Sequence, residues 1–536
     1  MARTPLVLDV PALGTLERGA GNLSGQLAQL LREAIHRGEI SPGDALPSTR
    51  LLAASLQVAR GTVVEAYEQL IAEGFLESQR GAATRVAEAL SGAGAGAGAG
   101  AGTEAGAGAG TRVRKAHTAH GRASRTSLPE PAARFAQVAR EFSPLPPMPF
   151  AVSVPVGLTA PADIWRRLGN RVRAKGPGAP AGYDDPRGAL PLREAIAAYA
   201  RKSRSVHCEA GQVIVTSGTQ QGLYLACQVL LGSKDQAWVE DPAYRGITAT
   251  LENNGRGSAM IRVPVDDEGI DVEAGIRLAP HAKVAFVTPS HQYPLGMPLS
   301  MARRSAILAW ARTHDAWVVE DDYDSEFRYD GYPFPSLHSS EPDRVVYLGT
   351  FSKILFPSLR LGYVIAPHDL ADAFCGARVL MDRHPPNADQ HVLAAFMADG
   401  HLERHIRRVR NVYANHRAQL IAAIDALLPP EVAWVQPGDQ GMHLVLWLVE
   451  SLDDREVVAM AARAGVAVRA VSPMFSPGNG RPGLVLGFGG FSNAQMKEAA
   501  QRLAAVITDA VRAGVERDAR KPVFTPKGRT RSENDR

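Results

Sequence analysis

Lys353 has the greatest potential for chemistry in this sequence, because of the turn in which it lies. It stands in YLGTFSKILFPSLRLGY, where an apolar run ends in a turn of small and hydroxyl-bearing residues. A lysine amine can bond covalently to a carbonyl carbon when its surroundings keep the amine partly neutral. Arg360 follows in the same segment and could pair with an anion. A lysine after a serine is weak evidence alone, so its significance depends on the residues that accompany it.

Three other segments end apolar runs with residues that suit one cofactor. In VIVTSGTQQGLYLACQVL a glycine turn opens a helix, and the amides of Gly218, Thr219 and Gln220 could bind a phosphate. Tyr244 in VEDPAYRG could stack on a flat ring, and the acids of AWVVEDDYDSEF could hold a protonated ring nitrogen. Pyridoxal 5'-phosphate needs a lysine, an anion site, a carboxylate and a cover for its ring. The four segments together predict a site for this cofactor.

The apolar runs that carry these residues predict an α/β fold. They are short, rich in β-branched residues and not alternating, as expected for buried parallel strands. The runs are QVIVTSG, QAWVEDP, KVAFVTPS, AWVVEDDY and RVVYLGT. Helical segments such as MARRSAILAWARTHD lie between them. Because open α/β sheets bind ligands at the carboxyl ends of their strands, we expect the four segments to meet there.

Composition excludes several classes of protein. The chain has 536 residues, of which 45% are hydrophobic and 21% charged, which fits globular domains and requires more than one. Its net charge of +4 means that any affinity for nucleic acid must come from a local basic surface. The cysteines Cys208, Cys227 and Cys375 lie far apart, which argues against disulfides and a zinc site. We find no signal peptide and no membrane span, and expect a cytoplasmic protein.

Composition also divides the chain into four parts. We predict a first domain at 1–88, a flexible linker rich in Gly, Ala and Pro at 89–150, a large domain at 151–514 and a disordered basic tail at 515–536. The Gly-Ala run SGAGAGAGAGAGTEAGAGAG has too little apolar surface to build a core, although it could order on a partner. The basic stretch TRVRKAHTAHGRASRTS is either solvated linker or a segment that lies on DNA phosphates.

The first domain has the helix pattern of a DNA-binding module. Leu27, Leu31 and Ile35 form an apolar stripe on a first helix, and Ser48 is a plausible N-cap for a second helix that runs to Leu56. A third helix is predicted at about 61–73. Its apolar side would comprise Val64, Tyr67, Leu70 and Ile71. FLESQRGAATRVA then predicts a two-stranded hairpin, which completes a winged helix-turn-helix.

This first domain closely resembles the GntR-type DNA-binding domain, on its LPSTR, TVVEAYEQL and EGFL segments. The resemblance implies that the third helix enters the major groove of double-stranded DNA and that the hairpin reaches the adjacent groove or backbone. The DNA contacts that it implies are Arg50, Arg60, Thr62, Arg80 and Gly81. Arginine can contact guanine or phosphate, whereas threonine and glycine amides suit phosphate. Ala59 and Gly61 depart from the hydroxyl residues common in the family, and Arg50 could instead be a salt-bridge partner on the helix surface.

The large domain resembles the fold-type I aminotransferases, which bind pyridoxal phosphate on a mainly parallel sheet with a small C-terminal subdomain. The resemblance implies that Lys353 holds the cofactor covalently, Asp321 pairs with its ring nitrogen, Tyr323 bonds its ring hydroxyl and Tyr244 stacks on it. The residues implied around the phosphate are Ser217, Gly218, Thr219, Gln220, Thr350, Ser352 and Arg360. Tyr183 in AGYDDPRGAL resembles the tyrosine that relatives lend to the neighbouring subunit's phosphate.

Two departures from the aminotransferases concern substrate turnover. In HQYPLG, Tyr293 replaces the asparagine that aminotransferases place beside the cofactor. In GLVLGFGG, Val485 stands near the place of the arginine that clamps the substrate carboxylate. The arginines that could substitute for it are Arg469, Arg245 and Arg481. The sequence therefore supports cofactor binding better than efficient turnover of an amino acid.

The two domains together resemble the MocR/GabR family of bacterial transcription regulators, in which TPSHQYPLG and EDDYDSEFRYDG are typical segments. This resemblance implies a head-to-tail, domain-swapped homodimer on promoter DNA. It also implies an effector domain that responds to pyridoxal phosphate, a small amine or an amino acid. Two alternatives stay open: a working aminotransferase with an appended DNA-binding domain, and an interaction protein whose cofactor site is vestigial.

No metal site is predicted. The acids at 320–326 lack the glycine that a calcium-binding EF-hand loop needs at its sixth position, where Phe327 stands. His401 and His405 are spaced to share one helix face, but HLERHIRRVR is typical of a solvated basic face.

Overall fold

The computed structural model describes residues 15–78, 83–88, 129–142, 145–152, 154–155, 162–176, 182–253 and 260–519. The chain divides into two compact units, 1–123 and 124–536. Among the described helices, none combines the length and the apolar content that a membrane crossing requires.

The first unit contains three helices and a small hairpin. Its elements are α1 (Leu23–His36), α2 (Thr49–Leu56), α3 (Arg60–Ala72), β1 (Leu76–Glu77) and β2 (Arg85–Val86). The predicted cap is confirmed, since the Ser48 side chain accepts a hydrogen bond from the Leu51 amide at 3.3 Å. Tyr67 of α3 donates to the Pro47 carbonyl at 2.9 Å, which ties α3 to the segment before α2. β1 and β2 pair antiparallel, as the winged arrangement requires.

The buried face of α3 differs from the predicted one. The residues that α3 buries are Val63, Ala66, Tyr67 and Leu70. Ile71 is instead 38% exposed. The two candidate stripes share Tyr67 and Leu70, so helical periodicity alone could not separate them. Packing against α1 and α2 selected the stripe that contains Val63.

The large unit is built on two sheets. Its strands are β3 (Val213–Thr216), β4 (Ala237–Asp241), β5 (Met260–Asp266), β6 (Gly269–Ile270), β7 (Val284–Val287), β8 (Trp317–Asp322), β9 (Val345–Thr350), β10 (Gly362–Ile365), β11 (Ala433–Val435), β12 (His443–Leu448), β13 (Arg469–Ala470) and β14 (Gly483–Gly487). The larger sheet has the order β3-β10-β9-β8-β7-β4-β5-β6, and the smaller one β11-β12-β14-β13. In the larger sheet β9, β8, β7, β4 and β5 are parallel, whereas β10 and β6 are antiparallel to their neighbours. All five predicted apolar runs are strands, which confirms the mainly parallel α/β prediction.

Helices cover both sheets. They are α4 (Glu130–Glu141), α5 (Ala162–Ala174), α6 (Leu190–Arg204), α7 (Thr219–Leu230), α8 (Arg245–Asn253), α9 (Val272–Leu278), α10 (Met301–Thr313), α11 (Leu337–Ser340), α12 (Ala371–Asp382), α13 (Ala388–Ala398), α14 (His401–Leu427), α15 (Asp454–Arg463) and α16 (Asn493–Ala519). α14 and α16 pack on the smaller sheet, and their shared core includes Tyr413 and Phe488.

The predicted linker and tail extend into ordered elements. Within the predicted linker at 89–150, residues 130–141 form α4, and Phe150 is buried in the core beneath the smaller sheet. The predicted tail at 515–536 begins inside α16, which continues to Ala519. The Gly-Ala run lies outside the described residues. Composition overestimated the linker because α8, against which α4 packs, belongs to a distant part of the chain.

The basic face predicted around His405 is also partly wrong. His405 is buried, and its Nε2 lies 2.8 Å from the carbonyl oxygen of Ile354, just after Lys353. This residue therefore supports the lysine turn rather than a solvated surface.

Candidate functional site

Some of the predicted cofactor residues line one cavity at the carboxyl ends of the parallel strands. The predicted cofactor residues that are not among its lining residues are Ser217, Gly218, Gln220, Thr350, Ser352, Arg360 and Tyr183. The cavity has a volume of about 230 Å³. The predicted residues that line it are Thr219, Tyr244, Arg245, Tyr293, Asp321, Tyr323, Lys353 and Arg469. Asp321 lies in β8, and Lys353 lies in the turn that follows the neighbouring strand β9. The parallel arrangement brings both to the same edge of the sheet.

The surroundings of Lys353 favour a neutral amine. The pKa of Lys353 is lowered to about 8, chiefly by burial, and the nearby guanidinium groups of Arg360 and Arg469 contribute in the same direction. The carboxylates of Asp324 and Asp321 oppose this shift. A lysine with this pKa is neutral often enough near neutral pH to attack a carbonyl.

We expect the covalent attachment of pyridoxal phosphate to the cofactor-free protein to depend on pH through Lys353. Only the neutral amine attacks, so the rate should rise about tenfold for each pH unit below about 8 and level off above it. Stopped-flow absorbance of the mixed protein and cofactor measures this rate. A free lysine derivative is the control, and its rate should continue to rise to about pH 10.4. A protein rate that follows the free amine would contradict the desolvated environment of Lys353.

Asp321 is suited to a cationic partner. Burial raises the pKa of Asp321 to about 7, and the neighbouring acids Asp322 and Glu240 raise it too. Its Oδ1 atom is buried without a hydrogen-bond partner among the described residues. A buried acceptor of this kind is costly unless a donor fills it. A protonated ring nitrogen would supply that donor and favour the ionised carboxylate.

A glycine turn and an arginine form the candidate phosphate cradle. Gly218 is the N-cap of α7 and has a φ of +92°, a conformation that side chains rarely adopt. A Cβ atom at Gly218 would lie 3.1 Å from the Arg360 guanidinium, which also donates to the Ser217 carbonyl. Arg360 is thereby held beside the N-terminus of α7, where an anion is stabilised by both.

The other predicted phosphate residues have mixed surroundings. Thr350 and Ser352 flank the lysine turn and are buried. The hydroxyl of Ser352 has no partner among the described residues, whereas Thr350 accepts from the Ser352 amide at 3.1 Å. The Gln220 side chain instead crosses to α8 and donates to the Thr250 hydroxyl at 3.0 Å. Only the backbone of Gln220 is therefore available to a phosphate.

The three candidate effector arginines differ in position. Arg469 lines the cavity and belongs to β13, where it pairs in register with Val485 of β14. Arg245 lies at the cavity but forms ion pairs with Glu141 at 2.8 Å and with Glu252 at 2.6 Å. Arg481 lies over the rings of Trp434 and Trp447, outside the residues that line the cavity. Arg469 is thus the candidate closest in strand position to the missing arginine.

Two predicted tyrosines lie in different environments. Tyr293 lines the cavity, and its ring meets that of Tyr244 edge to face with centroids 5.8 Å apart. Tyr183 is 81% exposed, and its ring contacts the His384 ring and the Arg383 guanidinium. Tyr183 does not line the cavity of its own chain.

Sequence reasoning missed several residues around the cavity. Glu240 is buried, accepts from the Thr288 hydroxyl at 2.6 Å, and has its pKa raised to about 7 by burial. His291, Asp324 and His443 are brought together, with potential ligand atoms all within 4.8 Å of one another, although no metal site was predicted. His291 lay in the quoted segment TPSHQYPLG, but no local signal links it to His443 in β12.

The segment before the large sheet also contributes to the cavity. Glu141, the last residue of α4, and the adjacent Phe142 both line it. α4 packs against α8, and the Glu141–Arg245 ion pair joins the two helices. The end of α4, which follows the Gly-Ala run in the chain, therefore forms part of the cavity wall.

Three of the five predicted DNA contacts, Arg50, Arg60 and Thr62, fall on the helices α2 and α3 of the first unit. Arg50 and Arg60 are exposed, and Thr62 is half-buried in the first turn of α3. Arg50 makes no ion pair within the part of the chain that the structure describes. Arg60 opens α3, and its Nε lies 3.4 Å from the Thr49 hydroxyl. Arg80 and Gly81 of the hairpin lie outside the described residues.

The residues present fit pyridoxal phosphate. The cavity combines a lysine of lowered pKa with Oδ1 of Asp321, which has no partner among the described residues. The Ser352 hydroxyl, next to Lys353 in the chain, also has no partner among those residues. A glycine without a Cβ stands at the N-terminus of α7 beside Arg360. These are the groups that a carbonyl, a ring nitrogen and a phosphate require.

Two family models match the chain. The model for bacterial regulatory proteins of the gntR family matches residues 23–86, and the model for aminotransferase class I and II matches residues 152–503. The rhizopine catabolism regulatory protein MocR of Rhizobium meliloti is 34% identical, over 88% of this chain and 91% of its own length. The pyridoxine biosynthesis transcriptional regulator PdxR of Corynebacterium glutamicum is 33% identical, over 91% of this chain and 96% of its own length.

Solved structures share the fold of the large unit. The α-aminoadipate aminotransferase LysN of Thermus thermophilus, in complex with N-(5'-phosphopyridoxyl)-L-leucine, has a TM-score of 0.66 and 24% identity, covering 72% of this chain and 98% of LysN. The kynurenine aminotransferase of Pyrococcus horikoshii has a TM-score of 0.61 and 28% identity, covering 72% of this chain and 95% of its own.

The matches extend over both units, in the same order as the winged helix-turn-helix and the cofactor-type cavity. The chain therefore belongs to the MocR-type transcription regulators, DNA-binding proteins in which a GntR-type domain precedes an aminotransferase-like domain.

Proposed function

We propose that this regulator binds pyridoxal phosphate through Lys353 and senses a small amine, an amino acid or pyridoxal phosphate itself. The observation that carries the proposal is the pairing of Lys353, whose pKa is about 8, with the buried Asp321 in one cavity. This chemistry belongs to a chain whose other unit binds DNA. An effector that changes the bonding at Lys353 could therefore change how the protein binds its promoter.

Pyridoxal phosphate is the cofactor of the aminotransferase-like domain. When bound, it supplies an electrophilic carbonyl and an electron-withdrawing ring. We assign Lys353 to the carbonyl, Asp321 to the ring nitrogen, and Tyr323 to the ring hydroxyl. Tyr244 and Tyr293 would cover the ring. The groups that we assign to the phosphate are Ser217, Gly218, Thr219, Gln220, Thr350, Ser352 and Arg360.

Arg469 is the residue that we assign to the carboxylate of an amino-acid effector. Its strand position beside Val485 supports this assignment, and it is close enough to Lys353 to lower the pKa of the lysine. Arg245 is already paired with two acids, and Arg481 with two indole rings. We give both a lesser role.

We expect Arg469→Ala to weaken the binding of amino acids about tenfold or more, because a charge-assisted hydrogen bond contributes about 1.5–3 kcal/mol. The corresponding amines without a carboxylate should bind as before. Absorbance titration of the cofactor-loaded protein with an amino acid and its decarboxylated amine measures both affinities. Arg481→Ala is the matched control and should change neither. Equal losses for the acid and the amine would contradict the assignment.

We propose that α4 is the first element to change its position when an effector binds. It ends at Glu141 and is held to α8 through Arg245, directly after the ring-stacking Tyr244. A ligand that alters the position of Tyr244 or Arg245 would alter this contact. α4 also follows the Gly-Ala run in the chain, so a change in its docking would reach the DNA-binding domain through the chain.

We further propose a head-to-tail homodimer, in which Tyr183 serves the cofactor site of the second copy. Tyr183 is 81% exposed, and Leu380 is 90% exposed, which supports a covered surface in an assembly. Two DNA-binding domains would then bind paired promoter sites with a gain from effective concentration. In a bacterium these sites are in the cytoplasm, where we propose that the regulator acts.

On double-stranded promoter DNA we assign contacts to Arg50, Arg60, Thr62 and the hairpin residues Arg80 and Gly81. The side chain of Ala59 makes no cap hydrogen bond at the start of α3. The first amides of α3 can therefore donate to phosphate oxygens in place of the hydroxyl groups that the family often has there. We propose 1–88 as the DNA-binding domain and 151–514 as the effector domain.

The test is a titration of the cofactor-loaded protein with a panel of amines, amino acids and pyridoxal phosphate, read by absorbance and by promoter binding. A sensor should show a spectral shift and a changed DNA affinity for the same ligand, without sustained production of a keto acid. A spectral response with unchanged DNA affinity across the panel would refute the proposal.

Aminotransferase activity is the second candidate, because the cavity retains a complete lysine and carboxylate pair and Arg469 can replace the missing clamp. Many turnovers of keto acid per protein in the same titration would favour it. The absence of any cofactor band would instead favour the third alternative, a vestigial site.

A further inference from the structure

The half-buried Tyr323 and the buried His291 and Asp324 form a hydrogen-bonded chain in the wall of the cofactor cavity. The Tyr323 hydroxyl lies 3.0 Å from Nδ1 of His291. The same Nδ1 lies 2.9 Å from Oδ2 of Asp324. The side chains of His291 and Asp324 are only 4% and 1% exposed. Tyr323 lines the cavity, so the chain ends where the cofactor is proposed to bind.

Nδ1 of His291 cannot both donate a hydrogen bond to Asp324 and accept one from the Tyr323 hydroxyl. An ionised carboxylate only accepts hydrogen bonds, so the contact with Asp324 requires a proton on Nδ1 of His291. Once Nδ1 carries a proton, it has no lone pair in the ring plane to accept the Tyr323 proton. The Tyr323 hydroxyl must then donate elsewhere, and Tyr323 lines the cavity.

The imidazole ring of His291 is held tightly in this orientation. A Cβ atom at Gly441 would lie 1.8 Å from Cε1 of His291, and one at Gly296 would lie 3.1 Å from Nε2. Both glycines have positive φ angles. The His443 ring lies 4.9 Å away and is itself held by a 3.0 Å contact from its Nε2 to the Pro294 carbonyl. The backbone at Gly441 and Gly296 therefore approaches the His291 ring so closely that a side chain at either position would displace the ring.

Tyr323 is suited to remain a donor. Burial raises the pKa of Tyr323 well above its ordinary value, and Asp324 raises it further, so the hydroxyl keeps its proton. The titratable and charged groups around Tyr323 come from several elements. They are Asp321, Asp324, Glu240, Tyr293, His443, Lys353 and Arg469.

We propose that Asp324 and His291 are positioning residues that direct the Tyr323 proton towards the ring hydroxyl oxygen of pyridoxal phosphate. Asp324 stabilises the tautomer of His291 that has a proton on Nδ1. In this tautomer Nδ1 cannot accept the Tyr323 proton in competition with the cofactor. The proposal rests on the proposed cofactor site. It assigns a role to His291, which lies in the segment TPSHQYPLG. The resemblance to aminotransferases assigns no role to this residue.

The pH midpoint of the visible absorbance band of the bound cofactor tests this proposal. A donor on the ring oxygen reduces the basicity of that oxygen and keeps the midpoint low. Tyr323→Phe should therefore raise the midpoint by about 1 pH unit. Asp324→Asn should raise it by a similar amount, because a neutral amide no longer requires a proton on Nδ1, and the tautomer protonated on Nε2 offers its lone pair on Nδ1 to the Tyr323 hydroxyl. The double variant should show no further shift.

Asp330→Asn is the matched control, since Asp330 is exposed and lies close in the chain. It should leave the midpoint unchanged. An Asp324→Asn protein that loses thermal stability but keeps the wild-type midpoint would show a merely structural role and overturn the proposal. Additive shifts in the double variant would also overturn it. Stoichiometric zinc in the wild-type protein, lost in Asp324→Asn, would assign His291, Asp324 and His443 to a metal instead.

The proposal stays testable if Asp324→Asn fails to fold. Nitrogen NMR of wild-type protein labelled with ¹⁵N-histidine reports the tautomer of His291, with His291→Phe to assign the signal. A proton on Nδ1 is expected, and a proton on Nε2 alone would overturn the proposal. If the wild-type protein shows no cofactor band at all, the proposed cofactor site fails as well. A cofactor band whose pH midpoint is the same in the wild-type and Asp324→Asn proteins refutes only the positioning role.

Discussion

Replacing Lys353 with alanine is expected to abolish the visible absorbance band of the bound cofactor. Lys353 is the lysine that we assign to the cofactor, its pKa is lowered to about 8, and it shares a cavity with Asp321. Without its amine, pyridoxal phosphate would be held only by the groups around its ring and phosphate. The spectral response to amines should disappear with the band, and so should any effect of those amines on promoter binding.

Lys202→Ala is the control for this experiment. The Lys202 side chain is 74% exposed, and its ion pair with Glu403 at 3.2 Å contributes at most about 1 kcal/mol. The control should keep the band and the effector response. Denaturing mass spectrometry after borohydride reduction should find the cofactor on the wild-type and Lys202→Ala chains alone. A cofactor covalently attached in the Lys353→Ala protein would contradict the assignment.

Replacing Arg60 with alanine is expected to weaken promoter binding by about ten- to a hundredfold while leaving the cofactor band intact. Arg60 is exposed at the start of α3, and its contact with Thr49 is long at 3.4 Å, so the fold should lose little. An arginine that contacts a base or phosphate contributes about 1–3 kcal/mol to binding. Fluorescence anisotropy with labelled promoter DNA measures the change.

The salt dependence of the same measurement separates two roles of Arg60. A phosphate contact should reduce the slope of affinity against salt by about one, whereas a base contact should relax sequence preference. Arg37→Ala is the control, because Arg37 is paired with Glu39 at 2.8 Å and contributes little free charge. Unchanged DNA affinity in Arg60→Ala would contradict its role. Loss of the cofactor band in that variant would contradict the division into two functional units.

Much of the fold could be predicted because its signals are local. The apolar runs that became β3, β4, β7, β8 and β9 are bounded by turn residues, and the Ser48 cap is encoded within four residues. Local signals failed where two solutions fit the same pattern. Val63 and Val64 both continue a helical stripe through Tyr67, and only the position of α1 and α2 buries Val63.

Segments that fold against distant surfaces were also missed. α4 was assigned to a flexible linker because it lies in the stretch 89–150, which was predicted to be a linker from its Gly, Ala and Pro content. Its docking depends on α8 and on the Glu141–Arg245 ion pair, which joins residues 104 positions apart. His405 was assigned to a solvated face because its own segment is basic. The Ile354 carbonyl that it contacts belongs to the lysine turn, which is a different segment of the chain. Neither contact leaves a trace in the periodicity of its own segment.

The sequence by itself determined the chemistry of the site. Gly218 and Lys353 each follow a buried strand, and Asp321 lies near the end of one. Parallel strands end at a common edge, so chain order predicts that these residues lie close together. Only the tertiary structure decided the roles of residues whose neighbours come from other strands. Arg469 faces the cavity because β13 pairs with β14 beside Val485. His291 meets Asp324 and His443 because β12 passes behind the turn at Pro294. Such contacts depend on strand register and on packing between distant segments, which short-range sequence patterns do not encode.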